Sequence, residues 1–232
     1  MKRLSIIIPV YNEEKTVLKI IGKVKRSNSL GLKNEIIVID DFTSDGTRKI
    51  LSSIKNDDIK IIYHRENMGK GAAIRSGFSK CTGDIILIQD ADLEYDPKEY
   101  PKLLRPIIEQ NEDVVYGSRL KKIRQNLNKM YKLHYLGNVL LTVATNLLYG
   151  VNINDMETGY KAFRREVVKK IKINSNRFDF EPEITAKIIK LGFNIKEVSI
   201  DFKARKFDEG KKITWVDGIK ALLCLIRYRF FD

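Results

Sequence analysis

Five short stretches in the first half of the chain are apolar almost throughout, not at alternate positions: Leu4–Val10, Glu35–Asp40, Ile59–Tyr63, Asp84–Gln89 and Asp113–Gly117. A strand with one wet face alternates polar and apolar side chains. Continuous Ile/Val runs belong to strands covered on both faces, as in a parallel sheet. Between them lie helical patterns. Glu13–Arg26 carries Val17, Ile20, Ile21 and Val24 at helical spacing, and Ser44–Ile54 opens on Ser44 or Asp45 as a cap. Gly71–Lys80 and Pro97–Gln110 complete the series, with Pro97 suited to a first turn. Alternation of strand and helix with short links predicts a doubly wound α/β fold: a mostly parallel, Rossmann-like sheet with helices on both faces. Ligands of such sheets bind beyond the carboxyl ends of the strands.

The polar signals fall at those ends. Pro9-Val10-Tyr11-Asn12-Glu13 follows the first run, and Asp40-Asp41-Phe42-Thr43-Ser44-Asp45-Gly46-Thr47 the second. Asn67-Met68-Gly69-Lys70-Gly71 follows the third, and Gln89-Asp90-Ala91-Asp92-Leu93-Glu94 the fourth. Two carboxylates two residues apart, fed by a buried strand, are costly unless a cation compensates them. Oxygen-only ligands suit Mg²⁺ or Mn²⁺, ions that commonly carry phosphates. Gly69-Lys70-Gly71 lacks the P-loop spacing; its amides and Lys70 suit phosphate, and its glycines equally suit close helix–strand packing.

The second half reads differently. Leu127–Tyr149 and Phe178–Leu191 are helical patterns, Asn194–Phe202 a further strand, and Thr214–Arg229 an amphipathic helix. Of the net charge of +13, residues 1–119 (20 Lys/Arg, 18 Asp/Glu) hold +2 and residues 120–232 (23 against 12) hold +11. A phosphorylated acceptor, an anionic membrane surface or nucleic acid would each answer that excess. No linker or repeat divides the chain, so 1–232 is expected to form one domain with a nucleotide-binding half (1–119) and an acceptor-binding half (120–232). Cys81 and Cys224 are far apart and read as core thiols in a reducing, cytoplasmic compartment. Met1–Leu4 does not read as a leader, and no apolar stretch approaches the roughly 20 residues of a membrane span.

The strand-end motifs resemble those of the family 2 inverting glycosyltransferases of GT-A fold, in the group of dolichol-phosphate mannosyltransferases and polyprenyl-phosphate glycosyltransferases. The resemblance runs on through Gly117-Ser118-Arg119, Asp155-Met156-Glu157-Thr158-Gly159-Tyr160-Lys161, Arg177-Phe178-Asp179-Phe180-Glu181 and Ala204–Lys212. It implies transfer of a sugar from a GDP- or UDP-linked donor to a polyprenyl or dolichyl phosphate, with Mg²⁺ or Mn²⁺. It places Pro9, Tyr11 and Glu13 on the nucleotide, and Asp41 on the base and ribose side with Ile39 lining the pocket and Asp40 in support. Asp90, Ala91 and Asp92 match the D-x-D that holds metal and diphosphate, and Glu94 a further metal contact where relatives often carry Gln. Arg119 matches an acceptor-phosphate ligand, and Arg205 with Lys211 a loop that closes over the donor diphosphate. Asp92, Arg119 and Arg205 are therefore the expected catalytic residues.

A lipid monophosphate is largely ionised at neutral pH and needs cations rather than a base; Arg119, Arg124, Lys132 and His134 are the candidates. A sugar hydroxyl would need a base, from Asp155, Glu157 or Asp179. Many relatives carry transmembrane helices, whereas this sequence has only Leu222–Ile226 as a continuous apolar run in its last helix. Contact with the membrane is thus expected from one side, through the apolar face of 214–229 or the helix around Val139–Leu148. The alternatives are a family 2 transferase acting on a saccharide or other hydroxyl, and a nucleotidyltransferase that makes sugar nucleotides. A dinucleotide-binding oxidoreductase is discounted, since Pro9-Val10-Tyr11-Asn12-Glu13 stands after the first strand in place of G-x-G-x-x-G. Nucleic-acid binding leaves the D-x-D unexplained.

Overall fold

A computed structural model of the chain describes residues 1–56, 58–119, 129–205 and 215–231. Its centre is a seven-stranded sheet, ordered β3-β2-β1-β4-β6-β5-β7. The strands are β1 (Arg3–Val10), β2 (Lys33–Asp40), β3 (Ile59–Tyr63), β4 (Ile85–Ile88), β5 (Val114–Ser118), β6 (Lys161–Arg164) and β7 (Ile195–Ser199). All are parallel except β6, which runs antiparallel between β4 and β5. The apolar runs thus form the expected strands. β6 was not anticipated: four residues, Lys-Ala-Phe-Arg, carry no strand pattern, and the antiparallel insertion is set by the neighbours it joins.

The period of two within β1 divides the core. Leu4, Ile6 and Ile8 enter one apolar cluster with Val17, Ile20 and Val24 of α1 (Val17–Lys25) and Leu103, Leu104 and Ile107 of α4 (Tyr100–Glu109). Ile7 enters the other, with Ala73 and Ile74 of α3 (Lys70–Lys80), Val167 and Val168 of α6 (Arg165–Lys170), and Phe180, Ile184 and Ile188 of α7 (Phe180–Lys190). Successive strand side chains point to opposite faces, so one continuous apolar run supplies both layers.

Several boundaries shift. The helix expected from Glu13 begins at Val17, because the Glu13 carbonyl takes the N–H groups of Thr16 and Val17 in a turn. In α2 (Thr47–Ser52) Gly46 is the cap; Asp45 still accepts the Thr47 N–H at 2.9 Å, while Ser44 turns to Asn12. Pro97 opens a 3₁₀ turn, Pro97–Glu99, that leads into α4. The second half supplies α5 (Lys129–Tyr149) and α8 (Trp215–Phe230). They meet α7 around a third cluster of Tyr149, Ile153, Met156, Ala186, Leu225 and Tyr228. No described helix is long and apolar enough to cross a membrane.

Candidate active site

The sheet brings the four polar segments to one edge, and side-chain bonds stitch them together. Asn12 accepts the Ser44 N–H at 2.8 Å, and the Glu13 N–H reaches Thr47 Oγ1 at 2.8 Å, joining the first loop to the second. Asp41 accepts the N–H groups of Met68 (2.9 Å) and Gly69 (2.7 Å), joining the second to the third. Lys70 Nζ lies 3.0 Å from Asp90 Oδ1, joining the third to the fourth.

Each loop also carries a residue with left-handed backbone: Asn12 (φ 56°), Phe42 (φ 59°), Gly69 (φ 94°) and Leu93 (φ 65°). For side chains as bulky as Phe and Leu this conformation costs on the order of 1–3 kcal/mol, and such strain collects where function requires it. At Gly69 no other residue fits, since a Cβ would fall 2.4 Å from the Asn176 carbonyl oxygen. A Cβ at Gly71 would meet the Ser175 carbonyl oxygen at 2.5 Å. The glycines of Gly69-Lys70-Gly71 therefore admit the 175–176 backbone against α3.

The acidic residues have separate fates. Asp90 is paired with Lys70, which also reaches Glu181 Oε1 at 3.0 Å. Burial opposes the Lys70 charge, but Asp90 and Glu181 outweigh it and hold its proton firmly. Asp92 is pushed up to about 8 by burial and by the adjacent Asp90 and Glu94, which Arg205 offsets only in part. Glu94 Oε1 accepts the Arg205 N–H at 2.7 Å. Arg205 Nε donates to the Asp92 carbonyl at 2.9 Å, and its guanidinium pairs with Glu13 at 3.0 and 2.6 Å. Arg205 thus lies across the D-x-D loop and the first loop together.

Asp90, Asp92 and Glu94 had been expected as three ligands of one ion. Among the described residues, no three His, Cys, Asp or Glu side chains gather closely enough to cage a cation. The site still fits a hard divalent ion shared with a substrate: its donors are carboxylate oxygens, and Asp92 carries charge that its surroundings resist. Mg²⁺ is commonly held by one or two carboxylates, with phosphate and water completing its shell.

Other expected contacts are turned inward. Ile39 is fully buried in the core layer that holds Ala73 and Ile74, so it lines no open pocket. Asp40 pairs with Arg48 at 2.5 Å. Asp41 is buried, and besides the two N–H groups it faces His64 Nδ1 at 2.7 Å. Pro9 and Tyr11 are half-buried, and Ala91 is buried. Arg119 is buried and its N, Nε and Nη2 all donate to Asp155, at 2.9, 2.8 and 2.6 Å. Arg124 and Lys211 lie outside the described residues, as do the side chains of Lys132 and His134.

A buried polar layer lies behind the site and holds Glu157, one of the three candidate bases. Lys161 sits 3.9 Å over the Tyr116 ring, donates to the Met156 and Thr158 carbonyls, and is lowered to about 8 by burial. Glu157 is raised to about 8 by burial and Glu181, and its Oε1 is buried without a hydrogen-bond partner among the described residues. The loop bearing it abuts the site: a Cβ on Gly159 would fall 2.3 Å from Asp90 Oδ2. Glu181 was visible as part of Phe178-Asp179-Phe180-Glu181, but nothing local indicated that it would share Lys70 with Asp90.

The family model "Glycosyl transferase family 2" matches residues 5–172, which contain all four strand-end loops and the Asp155–Lys161 segment. The chain belongs to glycosyltransferase family 2. The transferase is 31% identical to a UDP-N-acetylglucosamine–dolichyl-phosphate N-acetylglucosaminyltransferase of Methanococcus voltae, over 97% of this chain and 95% of that one. It is 30% identical to a polyprenol monophosphomannose synthase of Mycolicibacterium smegmatis, over 90% and 81%. Its fold matches glucosyl-3-phosphoglycerate synthase from Mycobacterium tuberculosis, solved with Mn²⁺, uridine diphosphate and phosphoglyceric acid. The TM-score is 0.71 at 20% identity, over 100% of this chain and 80% of that one. The mostly parallel sheet with helices on both faces is thus the GT-A fold, and the transferase is an enzyme of the glycosyl-transfer class.

Proposed function

We propose that the transferase moves a sugar from a nucleotide-sugar donor to a polyprenyl or dolichyl phosphate, with inversion at the anomeric carbon and with Mg²⁺ or Mn²⁺ bound at Asp92 and Asp90. The observation that carries this reading is Asp92: a carboxylate that its surroundings push toward protonation, at a strand end, with Arg205 laid across it. When bound, the cation supplies Lewis-acid stabilisation of the departing diphosphate. Arg205 adds a fixed cation at the same place, where leaving-group charge develops. The donor must take the guanidinium from Glu13, so donor entry and rearrangement of this ion pair belong to one step. Tyr11 offers a half-exposed ring to the base, and Asp41 fixes the loop beside it by holding Met68 and Gly69.

The acceptor assignment is supported by what the carboxylates are not free to do. A hydroxyl acceptor needs a base. Asp155 is held by three bonds from Arg119, and burial and Glu181 push Glu157 toward its protonated form. Asp179 accepts the Arg177 N–H at 3.1 Å. A phosphate acceptor needs only positive charge. Arg119 keeps Nη1, the nitrogen not committed to Asp155, for that purpose. The names of the dolichyl-phosphate and polyprenol relatives point the same way.

A lipid acceptor brings the membrane to the protein. On α5, Leu136, Leu140, Val143 and Leu147 are exposed at helical spacing, and on α8 so are Ile219, Leu222, Leu223, Ile226 and Phe230. The helices are neighbours, joined by the Tyr149 hydroxyl donating to the Leu225 carbonyl at 2.7 Å. Apolar stripes on the half of the chain that carries a net +11 suit an anionic interface. The test is transfer from a panel of labelled nucleotide sugars to short-chain polyprenyl phosphate and, in parallel, to soluble sugars. Formation of a lipid-linked product with cation dependence is expected. Transfer to sugars alone would overturn the acceptor assignment.

A further inference from the structure

We propose that His64 is a positioning residue of the donor site: gripped by Ser76 on α3, its ring fixes the Asp41 carboxylate, and through it the Met68–Gly69 backbone from which Lys70 reaches the acidic loop. The inference rests on the reading of this sheet edge as a nucleotide-diphosphate site, and adds to that site a residue that acts through another.

The geometry begins with a backbone held on both sides. His64 follows β3. Its N–H donates to the Asp40 carbonyl at 2.9 Å, and its own carbonyl accepts Arg48 Nη2 at 3.1 Å. The ring is held as well. Nδ1 faces Asp41 Oδ1 at 2.7 Å, and Nε2 faces Ser76 Oγ at 2.9 Å. A carboxylate only accepts, so the proton between the first pair belongs to Nδ1. The Ser76 hydroxyl, which can donate or accept, serves the other nitrogen. All four hydrogen-bonding groups of His64 are thus engaged, on the end of β2, on α2 and on α3.

Carboxylate, imidazole and hydroxyl stand in the order of a nucleophilic triad. Here the end with outside work is the carboxylate. Asp41 Oδ1 also takes the Met68 N–H at 2.9 Å, and Oδ2 takes the Gly69 N–H at 2.7 Å. Gly69 caps α3, and the next residue, Lys70, spans Asp90 and Glu181 at 3.0 Å each. A tilt of the Asp41 carboxylate therefore moves the start of α3 and the cation paired with Asp90. Asp41 and His64 are only 3% and 8% exposed, so water does not replace a lost partner. A site residue is as precise as the groups that lock its rotamer. Among the described residues, the side chain that bonds the Asp41 carboxylate is His64.

The test compares three variants of the full chain. His64→Phe keeps a ring and has no donor, His64→Asn keeps an N–H close to the place of Nδ1, and Ser76→Ala releases the far side of the ring. The first readout needs no ligand: hydrogen exchange at the Met68 and Gly69 amides, measured relative to amides of β5. Protection should fall about tenfold in His64→Phe and about threefold in Ser76→Ala, and stay within about twofold in His64→Asn. The second is calorimetric binding of UDP and GDP with Mg²⁺. The Kd should rise about tenfold in His64→Phe and return to within about threefold of wild type in His64→Asn. The kcat at saturating nucleotide sugar and the KM for a short-chain polyprenyl phosphate should stay within about threefold, because bound donor restores the loop.

Equal impairment of His64→Phe and His64→Asn would make the ring a space-filler and overturn the proposal. So would Met68 and Gly69 amides as protected in His64→Phe as in wild type, or a KM for the lipid phosphate that rises as far as the nucleotide Kd. Should His64→Phe fail to fold, unchanged protection at both amides in Ser76→Ala overturns the proposal in its place. If the wild-type chain binds neither nucleoside diphosphate, the donor-site reading fails, and the exchange measurement still decides whether His64 holds Asp41.

Discussion

The donor edge and the helical half of this transferase are built on opposite terms. At the donor edge four loops carry left-handed backbone, strained at Phe42 and Leu93, and their polar groups are spent on one another: Asn12 on Ser44, Asp41 on Met68 and Gly69, Lys70 on Asp90. In the helical half α5 and α8 pack by ordinary apolar contact on one side and leave apolar side chains exposed on the other. The first region is arranged in advance of its ligand, which suits a small, highly charged donor whose diphosphate must meet fixed groups. The second offers area and charge without fixed points, which suits a partner with no fixed shape, such as a lipid surface.

The contrast is broken most directly at Asp92. Asp92→Asn should lower turnover at least about a hundredfold if, as proposed, it removes the charge that holds the cation. It should also raise stability. The folded-state value of about 8 lies far above that of an unfolded aspartate, so this carboxylate burdens the fold progressively as pH rises from about 4 toward 8. The amide removes that burden. Melting temperatures of the two proteins without cation should coincide near pH 4 and diverge by pH 8, Asn above Asp, by an amount equivalent to about 1–3 kcal/mol. Saturating Mg²⁺ with nucleoside diphosphate should narrow the gap by stabilising the wild type alone. A variant that is less stable at every pH would mean that Asp92 is a structural carboxylate.

The other end of the same comparison is Asp41, whose charge is fully satisfied. Asp41→Ala leaves the His64 ring and the Met68 and Gly69 N–H groups without their acceptor. Chemical denaturation should show a loss of about 2–4 kcal/mol, the opposite sign from Asp92→Asn. Two aspartates at the ends of the strands that flank β1 would then be separated by one measurement into a holder of the loops and a holder of the ligand.

How much of this was legible in the sequence follows the same division. Strands covered on both faces announce themselves by unbroken apolar runs, so β1 to β5 were visible, as was the D-x-D, because a buried strand feeds it. β6 was not, since its Lys161 is a buried cation whose partners, the Met156 and Thr158 carbonyls and the Tyr116 ring, are assembled only by folding. Ile39 fell on the wrong side of the prediction because β2 alternates: Asp40 closes the strand at the polar edge while Ile39 faces the layer of α3. The residues of Arg119, Glu94 and Glu13 were all found, but their partners were not. Asp155 is 36 residues from Arg119, and Arg205 is 192 residues from Glu13. Motifs show which chemistry is present; which charge is already spent depends on tertiary pairing.

Arg119 tests whether a spent charge can still serve. Its guanidinium is bidentate on Asp155 and stands 5.4 Å over the Phe202 ring. Lysine keeps the charge and loses the planar fork. Arg119→Lys should raise the KM for a short-chain lipid phosphate about tenfold, with a smaller change in the KM for the nucleotide sugar. An equal rise in both would place Arg119 in the framework of the site and remove it from the acceptor.

The smallest effect belongs to the exposed stripes, and it is the one that separates the two halves most cleanly. Leu223 and Phe230 of α8 are 59% and 67% exposed, so replacing them removes little buried area and should shift the melting temperature hardly at all. Replacing both by Glu takes apolar area from the stripe and adds negative charge beside Arg227 and Arg229. Flotation with vesicles containing roughly 30% anionic lipid should fall several-fold, as electrostatic attraction and insertion are lost together. Turnover with a short-chain, water-soluble acceptor should stay within about twofold, because both side chains are exposed on α8. Retained flotation would clear α8 and transfer the question to Leu136, Leu140, Val143 and Leu147 of α5. Loss of turnover with the soluble acceptor would show that the helical half is coupled to the strained edge after all, and that the boundary between a fixed donor site and a yielding acceptor face is drawn in the wrong place.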